Sequence, residues 1–209
     1  MGVFKGTLTV RRYRVAGEIP DDFRTLYQEA LTENAFQEPF SATHEGEVIG
    51  WVQVHNLLET DFSNMNQWLY NNFLVAALRV DRKVLPSKLF KAWLDKRCKE
   101  WCAEQQRDHC PARVRSELRE TLTLELLPKT LPRVQLFEFC WNILDGWVMF
   151  LSTSESGNDK FRKAFRTTFG LNLLPWSPLD FLENSPDMAA ALQSQGLSNF
   201  RRTRSSNEY

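Results

Sequence analysis

Three prolines, Pro86, Pro111 and Pro128, punctuate the middle of this 209-residue chain and constrain its fold more than any other feature. Proline lacks a backbone N–H and disfavours helix at the residue before it. A helix that begins at Pro86 must therefore be interrupted at Pro111, and a second one must end at Pro128. In the first segment Phe90, Leu94, Arg97 and Trp101 recur at helical spacing, with Trp93 beside them. Lys88, Lys91 and Lys99 fall on the opposite side, with Asp95 among them. In the second segment, roughly Ala112 to Leu127, Val114, Leu118 and Leu122 form an i, i+4 apolar row, and Arg115 and Arg119 form a neighbouring basic one. The pattern predicts a helical hairpin with an apolar inside and a basic outside.

Strand patterns flank this hairpin. Phe4 to Val15 alternates apolar and polar residues and reads as a first strand, Val48–Val54 reads as a second, and Trp68–Val84, with Phe73, Val75, Ala77 and Val80 alternating, as another. Pro20-Asp21-Asp22 opens a helix, with proline in the first turn and two acids complementing the helix dipole. Asn56–Asn66 is polar and reads as a loop. Val134–Trp141 and Trp147–Leu151 form a strand pair around Leu144-Asp145-Gly146, since Asp-Gly favours hairpin turns. Asn158–Thr168 reads as a short helix with Phe161, Ala164 and Phe165 inward and Lys160, Arg162, Lys163 and Arg166 outward. Gly170 suits its C-terminal cap. Pro175, Pro178 and Pro186 then break the chain, and the tail from Ser198, with Arg201, Arg202 and Arg204, reads as disordered. The fold class expected is α+β, with antiparallel sheet halves flanking a projecting basic hairpin. Its parts are an N-terminal α+β part at 1–85, the hairpin at 86–128, a β-hairpin and helix at 129–180, and a loop-like tail at 181–209.

The formal net charge is zero, yet the charges are segregated. Residues 1–14 carry four basic and no acidic side chains, residues 15–81 two basic and eleven acidic, residues 82–133 thirteen basic and seven acidic, and residues 134–209 seven basic and eight acidic. A basic block of this kind points to a polyanion partner, although a solvated lysine-rich helix face gives the same pattern.

Other chemistries find little support. No apolar run is long enough for a membrane span, and the basic N-terminus is followed by no apolar stretch of a secretory signal. Four cysteines are few for a disulfide framework, so a reducing cytoplasm is expected. Cys98, Cys102, His109 and Cys110 lack the Cys-x₂-Cys spacing usual in structural zinc sites, and half-buried thiols are the plainer reading. Asp21-Asp22, Glu45/Glu47 and Glu59/Asp61 fit a helix start and loops better than a metal-dependent nuclease centre. His44, His55 and His109 are scattered. Neither a P-loop nor a G-x-S-x-G nucleophile motif is present. Trp51, Trp68, Trp141, Trp147 and Trp176 could stack on bases, but most sit in apolar runs and read as core. The expectation is a protein that is not an enzyme and needs no cofactor or metal.

Several blocks together resemble the RdgC family of recombination-associated proteins. They are Arg82-Lys83-Val84-Leu85-Pro86-Ser87, Thr121-Leu122-Thr123-Leu124-Glu125-Leu126-Leu127-Pro128-Lys129, Trp141 with Leu144-Asp145-Gly146, and Lys163 to Pro175 with Arg166, Gly170 and Leu173-Leu174-Pro175. Phe4-Lys5-Gly6 to Tyr13-Arg14 and Gly50-Trp51-Val52 fit the family's N-terminal part, so the resemblance covers about residues 4–180. It implies a nucleoid-associated, cytoplasmic protein whose relatives form a dimeric ring with a basic hole around duplex DNA and restrain the RecA recombinase by occupying DNA. Members usually extend further, so the chain is expected to be a short one lacking the C-terminal part. The family's arginine after "LLP" is Lys129 here, and the aromatic two positions on is Leu131.

The residues expected to contact double-stranded DNA are Lys88, Lys91, Lys96, Lys99, Arg107, Arg113, Arg115, Arg119 and Lys129. Neutralised phosphates release condensed counterions, and that entropy drives binding without reading sequence. On a helix the hairpin cations would span ~30 Å, about one turn of duplex. No recognition helix with adjacent base readers is apparent. A homodimer is expected, with RecA-type recombinase affected indirectly. The alternative is a protein-interaction module that pairs with a full-length relative or a recombination protein and has little DNA affinity of its own; the acidic stretch 15–81 favours it.

Overall fold

Two ten-residue strands, β4 (Phe73–Arg82) and β5 (Arg133–Asn142), pair along their whole length, from Phe73 opposite Asn142 to Arg82 opposite Arg133. The helical hairpin is the connection between them. In this computed structural model residues 2–4, 6, 8–38, 46–176 and 190 are described. The chain divides into two compact units, Met1–Leu174 and Pro175–Tyr209, and the account below concerns the first.

The remaining elements are β1 (Arg11–Ala16), α1 (Phe23–Glu33), β2 (Glu47–Val52), β3 (Leu69–Tyr70), α2 (Ser87–Glu104), α3 (Ala112–Leu126), β6 (Trp147–Phe150), α4 (Glu155–Phe169) and β7 (Asn172–Pro175). The seven strands form one sheet in the order β2-β4-β5-β6-β1-β7, with the short β3 also on β4. Every pairing with a described register is antiparallel. The fold is α+β with an antiparallel sheet, as expected. The two sheet halves meet in the β4–β5 pairing, so the hairpin projects from the middle of a continuous sheet.

One sheet face carries the core. Alternate residues Leu74, Ala76, Leu78 and Val80 of β4 and Phe139 and Trp141 of β5 are buried there, the period-two consequence of the pleat. α1 and α4 cover them. From α4, Phe161, Phe165 and Phe169 enter a layer containing Trp51, Phe139, Trp141 and Phe150. Phe161 stacks on Phe150 at 4.2 Å between ring centroids. Each such side chain contributes roughly 1.5–3 kcal/mol through its burial. Two polar ties fix α4. The Tyr13 hydroxyl donates to Asn158 Oδ1 at 2.5 Å, and the Trp51 indole N–H donates to Thr168 Oγ1 at 2.7 Å. Of the tryptophans weighed as core, Trp51, Trp68 and Trp141 are buried, whereas Trp147 and Trp176 are half-buried.

The boundaries differ from the sequence reading in several places. Helix α1 begins at Phe23, so Pro20 and Asp21 precede it and no acid lies in its first turn. The first strand starts at Arg11, not Phe4, and Phe4 instead stacks on His55 and meets Tyr70 edge-on. The apolar run 68–84 is two strands, because Asn71 at φ 54° turns the chain between β3 and β4. Asparagine tolerates this left-handed region. Helix α4 begins at Glu155, three residues before Asn158, because the Ser154 hydroxyl caps it by accepting from the Gly157 N–H at 3.3 Å. The loop-like tail from Ser198 lies outside the described residues.

The helical hairpin has its own small core. Leu94, Cys98 and Leu122 are buried in the seam between α2 and α3, with Phe90, Cys110, Leu118 and Leu126 packed around them. The helices are separated by residues 105–111, which include Gln106 at φ 51° and end at Pro111.

Candidate nucleic-acid interface

Packing the apolar rows of α2 and α3 together decides where the cations point. On α2, Lys88, Lys91, Lys96 and Lys99 are exposed; Arg107 is exposed in the connection; Arg113 and Arg119 are exposed on α3, Arg115 is half-buried, and Lys129 is exposed in the short 3-10 turn Leu127–Lys129 that follows. All nine expected residues therefore belong to the hairpin or its immediate end.

They are not equivalent electrostatically. Arg115 bonds Asp95 across the two helices at 2.7 Å, and this hydrogen bond raises the guanidinium pKa still further, so Arg115 stays charged. Arg113 pairs with Glu117 at 3.0 Å, Lys129 with Glu125 at 3.7 Å and Lys96 with Glu100 at 3.9 Å. On the other edge of the seam Arg97 meets Glu125 at 3.1 Å. Among the described residues no carboxylate pairs with Lys88, Lys91, Lys99, Arg107 or Arg119. Between Pro86 and Lys129 there are ten basic and seven acidic residues. So modest an excess makes the arrangement, more than the total, decisive.

The seam brings three of the nine to one place. Lys91 from α2 and Arg115 and Arg119 from α3 line an open groove of about 420 Å³ at the root of the hairpin, floored by Phe90 and Leu94. Lys88 and Lys99 project from the same side of α2 as Lys91, by the helical repeat of 100° per residue. The expected basic face therefore exists along this edge, while Lys96, Arg113 and Lys129 are partly offset by carboxylates. The Asp95–Arg115 pair could not be read from either helix alone, because it spans twenty residues, whereas Lys96–Glu100, Arg113–Glu117 and Lys129–Glu125 are i, i+4 pairs.

Three of the four thiols, Cys98, Cys102 and Cys110, cluster in the hairpin, the fourth, Cys140, lies in β5, and all are free. Cys98 is buried, and burial followed by contact with the Cys98 thiol raises the Cys110 pKa. Burial also pushes the Cys140 thiol up to about 11. Among the described residues no group of three or more His, Cys, Asp or Glu side chains is placed to hold a metal ion, and no helix is long and apolar enough to cross a membrane. His55 sits against Tyr70, Nε2 to hydroxyl 2.9 Å.

A second basic set was visible in the sequence but left out of the expected site. Arg162, Lys163 and Arg166 are exposed on α4, whereas their neighbour Lys160 is tied to Glu47 at 2.8 Å. The helical spacing already placed them outward; only the packing of α4 against the core shows that they lie beside a groove.

A family model described as "Putative exonuclease, RdgC" matches residues 8–197. The chain belongs to the RdgC family. No curated protein matches it. Membership of the RdgC family supports a role connected with recombination, and the matched span includes the whole hairpin, both central strands and α4.

Proposed function

We propose that this RdgC-family chain binds double-stranded DNA without reading its sequence, as a homodimer. Its effect on recombination follows from occupying the DNA, which denies it to a RecA-type recombinase and places the chain at the nucleoid. The observation that carries this reading is the convergence of Lys91, Arg115 and Arg119 on one groove, extended along α2 by the unpaired Lys88 and Lys99. Lysine supplies a mobile point charge and arginine a bidentate fork, the two modes by which proteins neutralise phosphates. Nothing on this edge resembles a set of base-reading side chains, so affinity should come from counterion release and fall steeply with salt.

The reading is of a binding protein and not of a nuclease, although the family's description includes that activity. Incubating linear duplex with the chain and Mg²⁺ or Mn²⁺ tests this point: release of nucleotides above buffer refutes it. The binding itself is tested by titrating a labelled 30-base-pair duplex with the wild type and with a chain reversed at Lys91, Lys99, Arg115 and Arg119. Loss of binding in the variant is expected. Equal binding removes the hairpin as the interface.

One observation favours a protein-interaction role for the same hairpin. Leu89 and Trp93, one turn apart on α2, are 56% and 40% exposed, and Leu131 beyond α3 is 88% exposed. Exposed apolar residues of this size suit a protein partner. A pull-down treated with nuclease separates the two readings: a full-length relative or recombination protein retained after DNA is destroyed supports the second.

A further inference from the structure

Helix α4 closes the core with one face and presents its cations on another. Arg162 and Arg166 are one turn apart, Lys163 stands beside them, and all three are exposed. Like charges at this spacing repel on a helix. Among the described residues none of the three has a carboxylate partner, in contrast to Lys160 one step away. Arg11, exposed on β1, shares a strand face with Tyr13, whose hydroxyl reaches Asn158 near the start of α4. Two carboxylates come near this group without pairing with it: Asp159 in the same groove, and Glu47, which shares a groove with Lys163 and is tied to Lys160. Alongside runs an open groove of about 470 Å³, with Arg162, Lys163 and Arg166 on one wall and Asn172 and Leu173 of β7 on the other.

The hairpin was not needed to build any of this. α4 lies on the core face of the sheet, and it runs alongside β5, from Phe137 near Gly157 to Trp141 near Phe169. Its Arg162 and Arg166 border Ala16 of β1 and Asn172 and Leu173 of β7, at the other side of the sheet from β2, whereas the hairpin leaves from the β4–β5 pair.

We propose that Arg162, Lys163 and Arg166, with Arg11, form a second phosphate-binding surface, which grips the nucleic-acid backbone separately from the hairpin. The occupant is a run of phosphodiesters. Two guanidiniums aligned along a helix match successive phosphates by bidentate hydrogen bonds, Lys163 adds a point charge, and a bound backbone relieves the repulsion between Arg162 and Arg166. The proposal rests on the polyanion reading above and adds to it a longer footprint along the strand.

The test is fluorescence anisotropy on a 30-base-pair duplex across a salt series. The proteins compared are the wild type, Arg162→Gln/Lys163→Gln/Arg166→Gln, the single variant Lys163→Gln, and the hairpin variant Lys91→Gln/Lys99→Gln/Arg119→Gln. Three lost phosphate contacts should make the salt slope shallower by about 2.7, at about 0.9 per contact, and the single variant by about 0.9. Thermal midpoints within about 2 °C of wild type confirm that the fold is kept. If the α4 variants bind with wild-type affinity and slope while the hairpin variant weakens, the second surface is wrong and the hairpin reading stands. If the α4 variants weaken and the hairpin variant does not, the second surface stands alone. A wild type that binds no duplex refutes both.

Discussion

The contrast between free and paired cations on the hairpin gives the sharpest test of the interface. Lys91, Lys99 and Arg119 have no carboxylate partner, while Lys96, Arg113 and Lys129 each have one within 3.9 Å. Both sets carry three positive charges, so neutralising either changes the net charge equally. If the five free hairpin cations each meet a phosphate, they contribute about −4.5 to the salt slope, and through them alone raising salt fourfold weakens binding about 500-fold. Replacing Lys91, Lys99 and Arg119 by glutamine leaves two hairpin contacts and a hairpin contribution near about −1.8, about 12-fold for the same salt step. Replacing Lys96, Arg113 and Lys129 should shift the slope by less than about 1, because those side chains begin partly satisfied and lie off the groove edge. Exposed pairs of this kind are individually weak, about 0.2–1 kcal/mol, so position carries more of the difference than pairing does. Filter binding at four salt concentrations reads all three slopes. Indistinguishable slopes for the two triple variants would refute the argument, since binding would then follow total charge and not the arrangement.

Three further outcomes check the fold beneath the site. Tyr27 is buried with no hydrogen-bond partner for its hydroxyl among the described residues, and burial pushes its pKa up to about 12. The unfolded chain ionises near pH 10, so stability is intact below that and falls as pH rises through about 12, by ~2.7 kcal/mol in full. Tyr27→Phe should remove this alkaline loss and add about 1 kcal/mol near neutral pH, read by urea unfolding; a less stable variant would show that the hydroxyl has a partner. Leu122→Ala opens the hairpin seam and should cost about 2–4 kcal/mol there. Amide exchange should quicken in α2 and α3 while β4 and β5 stay protected, because the seam and the sheet bury separate clusters. Gly50→Ala places a methyl 2.3 Å from the Phe36 Cα, a backbone contact that cannot yield cheaply. A loss of at least about 1–3 kcal/mol is expected in thermal unfolding, and a neutral result would mean that the 34–36 segment is free to move away.

Local chemistry made much of this molecule legible in advance. Pro86, Pro111 and Pro128 delimit α2 and α3 because a missing N–H acts wherever the residue falls. The helical spacing of Phe161 and Phe165 names part of the core, since the helical turn is fixed by the backbone. The alternation Phe73, Val75, Ala77 in β4 points to the wrong face: the strand is buried on both sides, and Leu74, Ala76 and Leu78 enter the main core. What the tertiary structure alone decided is which of these pieces are neighbours and which charges survive the meeting. Nothing in either segment shows that β4 and β5 lie side by side, or that Asp95 would be drawn to Arg115 twenty residues on, leaving Lys91 and Arg119 unpaired beside a groove. Hydrophobic periodicity and i, i+4 ion pairs are properties of the local chain, whereas a pair such as Asp95–Arg115 depends on the distance between two helices, and only their packed seam sets that.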